Sequence, residues 1–100
     1  MKTIKLFELL NSKALITIDQ AHKAYPTLHQ LLTDGEEVEI DFSGIDFMVS
    51  GFFHNAIGKL YLDFGYSTAS KLLSFNNFEN ELIESNFAKW MSQVTSKFNS

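Results

Sequence analysis

The chain has 100 residues, of which 45% are hydrophobic and 14% aromatic, and its formal net charge is −4. This length and composition predict one folded domain over residues 1–100, and the absence of cysteine excludes a disulfide scaffold and thiol catalysis. Its 8 basic residues are scattered singly, which argues against direct nucleic-acid binding.

The N-terminal segment predicts one or two short strands. Residues 2–7 alternate, with Ile4 and Leu6 on one side, and residues 14–16 form a second apolar run after the turn-prone Asn11-Ser12 pair. The apolar part of this segment is too short for a secretory signal, and no run in the chain approaches the ~18 residues that span a bilayer. We therefore expect a cytoplasmic protein with no membrane association.

A helix is predicted next. Thr17 followed by Gln20 is typical of a capping box, and the helix ends at Asp34-Gly35. Pro26 lies on the side opposite the apolar stripe and is expected to bend or divide the helix near Tyr25, because it removes a backbone donor. The predicted stripe consists of Ile18, Ala21, Tyr25, Leu28 and Leu32.

The hydrophobic periodicity of the segment from Val38 to Tyr61 changes at Ser50-Gly51. Before this point apolar and polar residues alternate, which predicts a half-buried strand. After Gly51 the apolar residues recur at helical spacing, and Gly65 is expected to close this second helix. The helical stripe consists of Phe53, Ala56, Ile57, Leu60, Tyr61 and Phe64.

Residues 71–75 predict another strand, and Asn76-Asn77 is expected to open a final amphipathic helix. Strands that alternate with helices indicate an α/β protein with right-handed crossovers. We predict a small mixed, mostly parallel sheet of about four strands. Its helices should lie mainly on one face, because Glu39 and Asp41 would be costly beneath a second helical layer.

Residues 40–61 resemble the central segment of STAS domains, the sulfate-transporter and anti-anti-sigma module. They resemble more closely the bacterial STAS-like family of unknown function, whose pattern is a strand ending in Asp-Phe, a Gly-hydrophobic pair and a Ser-rich turn before a Phe-led helix. The residues that carry the resemblance are Asp41, Phe42, Gly44, Phe47, Ser50, Phe52 and Gly58. The resemblance implies a STAS-like fold and a regulatory docking module that is not an enzyme. It also implies a protein partner, such as a kinase-like ATPase or an anti-sigma-type regulator. We also predict no cofactor.

The resemblance also implies a phosphorylation switch, which the sequence allows us to examine. In phosphorylated STAS domains, an Asp-Ser-Ser-Gly run opens the helix and its second serine accepts the phosphate. That run falls on residues 49–52 here, so the acceptor position is Gly51, which has no hydroxyl. Ser50 is the only nearby candidate for phosphorylation, and we favour for it the role of helix N-cap.

The turn at Ser50-Gly51 lies where parallel α/β sheets usually place their binding surface. Phe52 lies about a quarter turn off the apolar stripe, so the pattern allows either an exposed aromatic anchor or packing beneath the first helix. Phe47 and Met48 face the same two alternatives. The predicted partner-binding residues are Phe47, Met48, Ser50, Gly51, Phe52 and His54.

Other chemistries find little support. His22 and His29 are too far apart on one helix to share a metal ion without a third ligand, so we predict no metal site. Asp46 and His54 lack an accompanying nucleophile, so we predict no enzymatic activity. An alternative function is a small acidic inhibitor from a mobile element that blocks a basic surface of a host nucleic-acid-binding protein. The sequence also leaves formation of a homodimer open.

Overall fold

The structure is a computed structural model and describes residues 1–98. In chain order its elements are β1 (Lys2–Lys5), α1 (Leu6–Leu10), β2 (Ala14–Leu15), α2 (Ile18–Thr33), β3 (Val38–Asp41), β4 (Phe47–Met48), α3 (Ser50–Phe53), a π-helical turn (His54–Gly58), α4 (Lys59–Phe64), α5 (Tyr66–Leu72), β5 (Leu73–Asn76) and α6 (Glu81–Phe98).

The described strands form two separate parallel sheets. The first has the order β1-β3-β5, with Val38 paired to Lys2 on one side and to Leu73 on the other. The second is a ribbon of two short strands, in which Ala14 of β2 pairs with Phe47 of β4. The α/β class is thus confirmed, although the predicted sheet of about four strands is a three-stranded sheet plus this ribbon.

The three-stranded sheet is covered by helices on one face, as predicted. Val38, Ile40 and Leu73 point into the core and are buried. The opposite face carries exposed polar side chains, including Thr3 and Asn76, because strand residues alternate between the two faces.

The helical segment that follows the Ser50-Gly51 turn lies at the centre of the helical layer. It contacts both α2 and α6. Phe53 illustrates the contact with α6, because it is fully buried and its ring lies 5.5 Å from that of Phe87 and 5.8 Å from that of Trp90. The segment is therefore enclosed on more sides than a single apolar stripe requires.

Helix α2 is continuous, and the expectation that Pro26 divides it is wrong. Pro26 removes the donor that would pair with the carbonyl of His22, and both residues are exposed, so water can solvate that carbonyl. The predicted capping box is present, with Thr17 and Gln20 bonding each other's backbone. Burial of the inward face holds the helix together across the proline, through Ala21, Ala24, Leu28 and Leu32.

Other boundaries differ from those predicted. Helices α1 and α5 were not predicted, and α6 begins at Glu81 rather than after Asn76-Asn77. Asn80 caps α6, because its Oδ1 accepts the Ile83 backbone N–H at 2.9 Å. Gly65 ends α4 with φ 85°, as its position predicted. No helix within residues 1–98 is long and apolar enough to cross a membrane.

Candidate partner-binding site

The corner between β4 and α3 is open to solvent at Ser50 and Gly51. Val49 is the N-cap residue of α3 and makes no side-chain capping bond, so the expectation that Ser50 caps the helix is wrong. Ser50 is instead the first helical residue. Its side chain is exposed.

Phe47 and Met48 precede this corner and take opposite orientations. Phe47 is 46% exposed, whereas Met48 is 3% exposed and belongs to the core. Their pairing with Ala14 and Leu15 in the ribbon fixes this choice, because Leu15 and Met48 turn inward together. Of these two predicted contact residues, only Phe47 presents a side chain to a partner.

Phe52 is 1% exposed, so the expectation that it forms a surface anchor is wrong. The physical reason is the central position of its helix. A side chain that lies off the main stripe still meets a neighbour, because α3 contacts both α2 and α6. Phe52 therefore stabilises the corner from below and cannot touch a partner unless the core opens.

His54 begins the π-helical turn and faces α6. Its Nε2 lies 3.2 Å from Oε1 of Gln93. A shallow groove of about 290 Å³ lies beside this turn, and its lining residues are His54, Gly58, Leu62, Gln93, Val94 and Lys97. π-Helical turns are rare in proteins, and those that occur often lie at functional sites. His54 thus belongs to the groove rather than to the Ser50-Gly51 corner.

One side-chain amide occupies the β2 edge of the two-stranded ribbon, and another bonds the residue that precedes β4. On the β2 edge, Oε1 of Gln20 accepts the Ile16 N–H at 2.8 Å, and its Nε2 donates to the Ala14 carbonyl at 2.9 Å. On the β4 side, Nδ2 of Asn80 donates to the Asp46 carbonyl at 3.3 Å. Gln20 thereby takes the place that another strand would occupy.

Asp41 lies at the carboxyl end of β3 and is 5% exposed, although the alternation of its strand predicted a solvent-exposed side chain. The loop residue Ser43 covers it and donates its backbone N–H to Oδ1 of Asp41 at 2.8 Å. Burial acts to raise the pKa of this carboxyl, but hydrogen bonds from Ser43 and Asn77 and the charge of Lys5 lower the pKa below its usual value. Asp41 is therefore an ionised group whose hydrogen bonds order the loop that follows β3.

Sequence reasoning missed two residues near the corner. Ile16 is 51% exposed and Ile18 is 48% exposed, although both were assigned to apolar segments expected to face the core. The run Ala14-Leu15-Ile16 is apolar throughout, so its composition could not identify the outward side chains. Only the pairing with β4, which turns Leu15 inward, reveals the orientation of Ile16.

The structure therefore brings together Phe47, Ser50 and Gly51 at an accessible corner and adds Ile16 to it. Within residues 1–98, no group of three or more histidine or acidic side chains is arranged to hold a metal ion. The corner thus combines an exposed aromatic side chain, Phe47, with an exposed turn at Ser50 and Gly51.

The fold and the corner together define a small α/β module with parallel sheets, one helical layer and an exposed strand-to-helix turn. A family model described as "STAS-like domain of unknown function (DUF4325)" matches residues 20–82. The chain belongs to this STAS-like family, and the resemblance seen in the sequence is confirmed. Comparisons with curated proteins and with solved structures gave no match.

Proposed function

We propose that this protein is a non-enzymatic regulatory module that binds a partner protein through the Ser50-Gly51 corner. The partner class implied by the STAS-like family is a kinase-like ATPase or an anti-sigma-type regulator. One observation carries the proposal: the turn from β4 into α3 is exposed at Ser50 and Gly51, and Phe47 offers a half-exposed aromatic ring just before it.

The composition of this corner supports binding without a phosphoserine switch. Gly51 occupies the acceptor position of phosphorylated STAS domains and has no hydroxyl. The Asp of that motif is replaced by Val49, whose side chain makes no capping bond. In this proposal the corner is always competent to bind, and Ser50 acts as a contact residue.

A pull-down with the immobilised protein tests the site. Ser50→Asp places a charge on the exposed corner, and Phe47→Ser removes the ring. Leu62→Ser serves as a matched control, because Leu62 is 55% exposed on α4, away from the corner in the chain. We expect both corner variants to recover less partner than the wild type and the control variant. Equal recovery by all four proteins would eliminate this surface.

The absence of a switch has its own test. The protein is purified from its native cells, and its serines are mapped by mass spectrometry. We expect unmodified Ser50 in cells grown under several conditions. Stoichiometric phosphate on Ser50 would contradict this part of the proposal while leaving the docking surface in place.

A further inference from the structure

The outward side of the β2–β4 ribbon is apolar along both strands. Its side chains follow the two-residue period opposite the buried Leu15 and Met48. We call this surface the ribbon face, and its residues are Ala14, Ile16, Phe47 and Val49. Ile16 and Phe47 are each about half exposed, and Ile18 adds a third exposed apolar side chain at the start of α2.

The edges of the ribbon restrict how a partner can engage it. Gln20 bonds the backbone of Ala14, Ile16 and Thr17 along the β2 edge, and Asn80 bonds the Asp46 carbonyl on the β4 side. A strand added beside β2 would need the backbone groups that Gln20 bonds. A partner that extended the ribbon at this edge would have to displace Gln20, which favours packing of its side chains on the ribbon face instead.

The charges around the ribbon face have a negative excess. Asp46 directly precedes Phe47, and Asp19 directly follows Ile18, and both are exposed. Within residues 13–19 and 46–50 the exposed Lys13 is the only basic residue, so these two segments together carry one negative charge in excess. This local excess agrees in sign with the net charge of −4 for the whole chain. Complementary charge on the occupant is therefore positive.

The size of the ribbon face argues against a second copy of this chain as the occupant. Three half-exposed side chains supply roughly a third of the ~800 Å² that each partner buries in an interface of standard size. Two copies would also bring like charges from Asp19 and Asp46 together. One amphipathic helix, with an apolar stripe only a few residues long, matches this area better.

We propose that the ribbon face binds an amphipathic helix of the partner whose polar flanks carry lysine or arginine. This inference rests on the proposed docking function and names the chemistry of what docks. The apolar stripe of the helix covers Ile16 and Phe47, while its basic flanks approach Asp19 and Asp46.

A titration with two synthetic peptides tests the proposal on the full chain. One is an 18-residue amphipathic helix with leucine on one face and lysine on both flanks, and the other replaces each lysine by glutamate. Backbone amide NMR shifts of the labelled protein map the contact, and fluorescence anisotropy gives the Kd. The variants are Ile16→Ser and Phe47→Ser, with Leu62→Ser as the control.

We expect the lysine peptide to shift the amides of residues 14–18 and 46–49 and to bind about tenfold more tightly than the glutamate peptide. Each ribbon variant should weaken binding about tenfold, the size of a modest hot spot, whereas Leu62→Ser should not. The preference for lysine should shrink as the salt rises from about 0.1 M to about 1 M.

Three results would overturn the inference: no saturable binding, equal affinity for the two peptides, or amide shifts confined to the groove beside His54. The proposed function would then be judged separately by Ser50→Asp in the partner pull-down. If Ser50→Asp lowers partner recovery while Ile16→Ser does not, the corner binds a partner by another chemistry and only the ribbon-face helix is refuted.

Discussion

The side-chain carbonyl of Gln20 accepts the backbone N–H of Ile16 at 2.8 Å, four residues earlier in the chain. The same oxygen accepts the Thr17 N–H at 3.0 Å and completes the capping box of α2. One amide thus secures both the start of a helix and the edge of the ribbon that carries the candidate site.

Replacing Gln20 by Ala should lower the free energy of unfolding by about 1–3 kcal/mol, because a cap is lost and backbone groups of β2 lose their partners. Urea unfolding followed by circular dichroism measures the change. Gln30→Ala is the control, since Gln30 bonds only the exposed Asp34 side chain through its amide, and its expected effect is within about 0.5 kcal/mol. Equal losses of unfolding free energy for the two variants would show that the hydrogen bonds of Gln20 to the ribbon edge do not stabilise the protein.

The two phenylalanines near the corner should differ sharply in stability. Phe52→Ala removes a fully enclosed ring and should cost about 3–5 kcal/mol. Phe47→Ala removes a half-exposed ring and should cost less than about 1 kcal/mol. Thermal unfolding of both variants gives the comparison. A large loss for Phe47→Ala would mean that this ring supports the fold and is not available to a partner.

Tyr25 should make the protein sensitive to alkaline pH. Partial burial and the hydrogen-bonded Asp63 carboxylate raise the pKa of Tyr25 to about 12, from 10.0. Its neutral form therefore contributes stability that is complete below pH 10 and is lost as the pH rises towards 12. Tyr25→Phe should lower stability at neutral pH, because the bond to Asp63 is lost, and should flatten the decline above pH 10.

Urea unfolding of the wild type and Tyr25→Phe between pH 8 and about 12 measures this difference. Burial also raises the pKa of Tyr61 to about 12, so the variant should retain part of the decline. Parallel curves for the two proteins would contradict a coupling between Tyr25 and Asp63.

Asp41 should make the protein sensitive to acid. Despite the opposing effect of burial, its pKa lies below the usual 3.8, so its carboxylate contributes stability above that value and loses it as the pH falls through the lowered pKa. Asp41→Asn should cost about 1 kcal/mol or more at neutral pH, because charged hydrogen bonds to Ser43 and Asn77 become neutral. As the pH falls through the lowered pKa of Asp41, the stabilities of the two proteins should converge. A constant difference from neutral to acid pH would exclude ionisation as the cause.

Local chemistry explains which elements the sequence could predict. The capping box at Thr17 and Gln20 and the break at Gly65 need only nearby residues, so they were read correctly. Helix α1 could not be predicted, because Ile4 and Leu6 continue a strand-like alternation up to its first residue. Its five residues carry no capping bond that would mark a start.

The candidate site was only partly predictable, for a reason of packing. The exposed turn at Ser50-Gly51 follows from the change of periodicity. The burial of Phe52 depends instead on the helices packed against α3, of which α6 begins about 30 residues later in the chain. The outward position of Ile16 likewise depends on strand pairing with β4. Sequence periodicity identifies the apolar face of one element, but it does not show how many other elements pack around that element.

The register of the three-stranded sheet determines the order in which this chain can fold. Val38 must find Lys2 and later Leu73, each about 35 positions away along the chain. During synthesis on a ribosome, β3 can pair with β1 but has no strand on its other side until β5 has emerged. The early helices, which close their own hydrogen bonds, are the parts able to form first, and a chain cut before residue 73 would keep an unpaired strand open to aggregation.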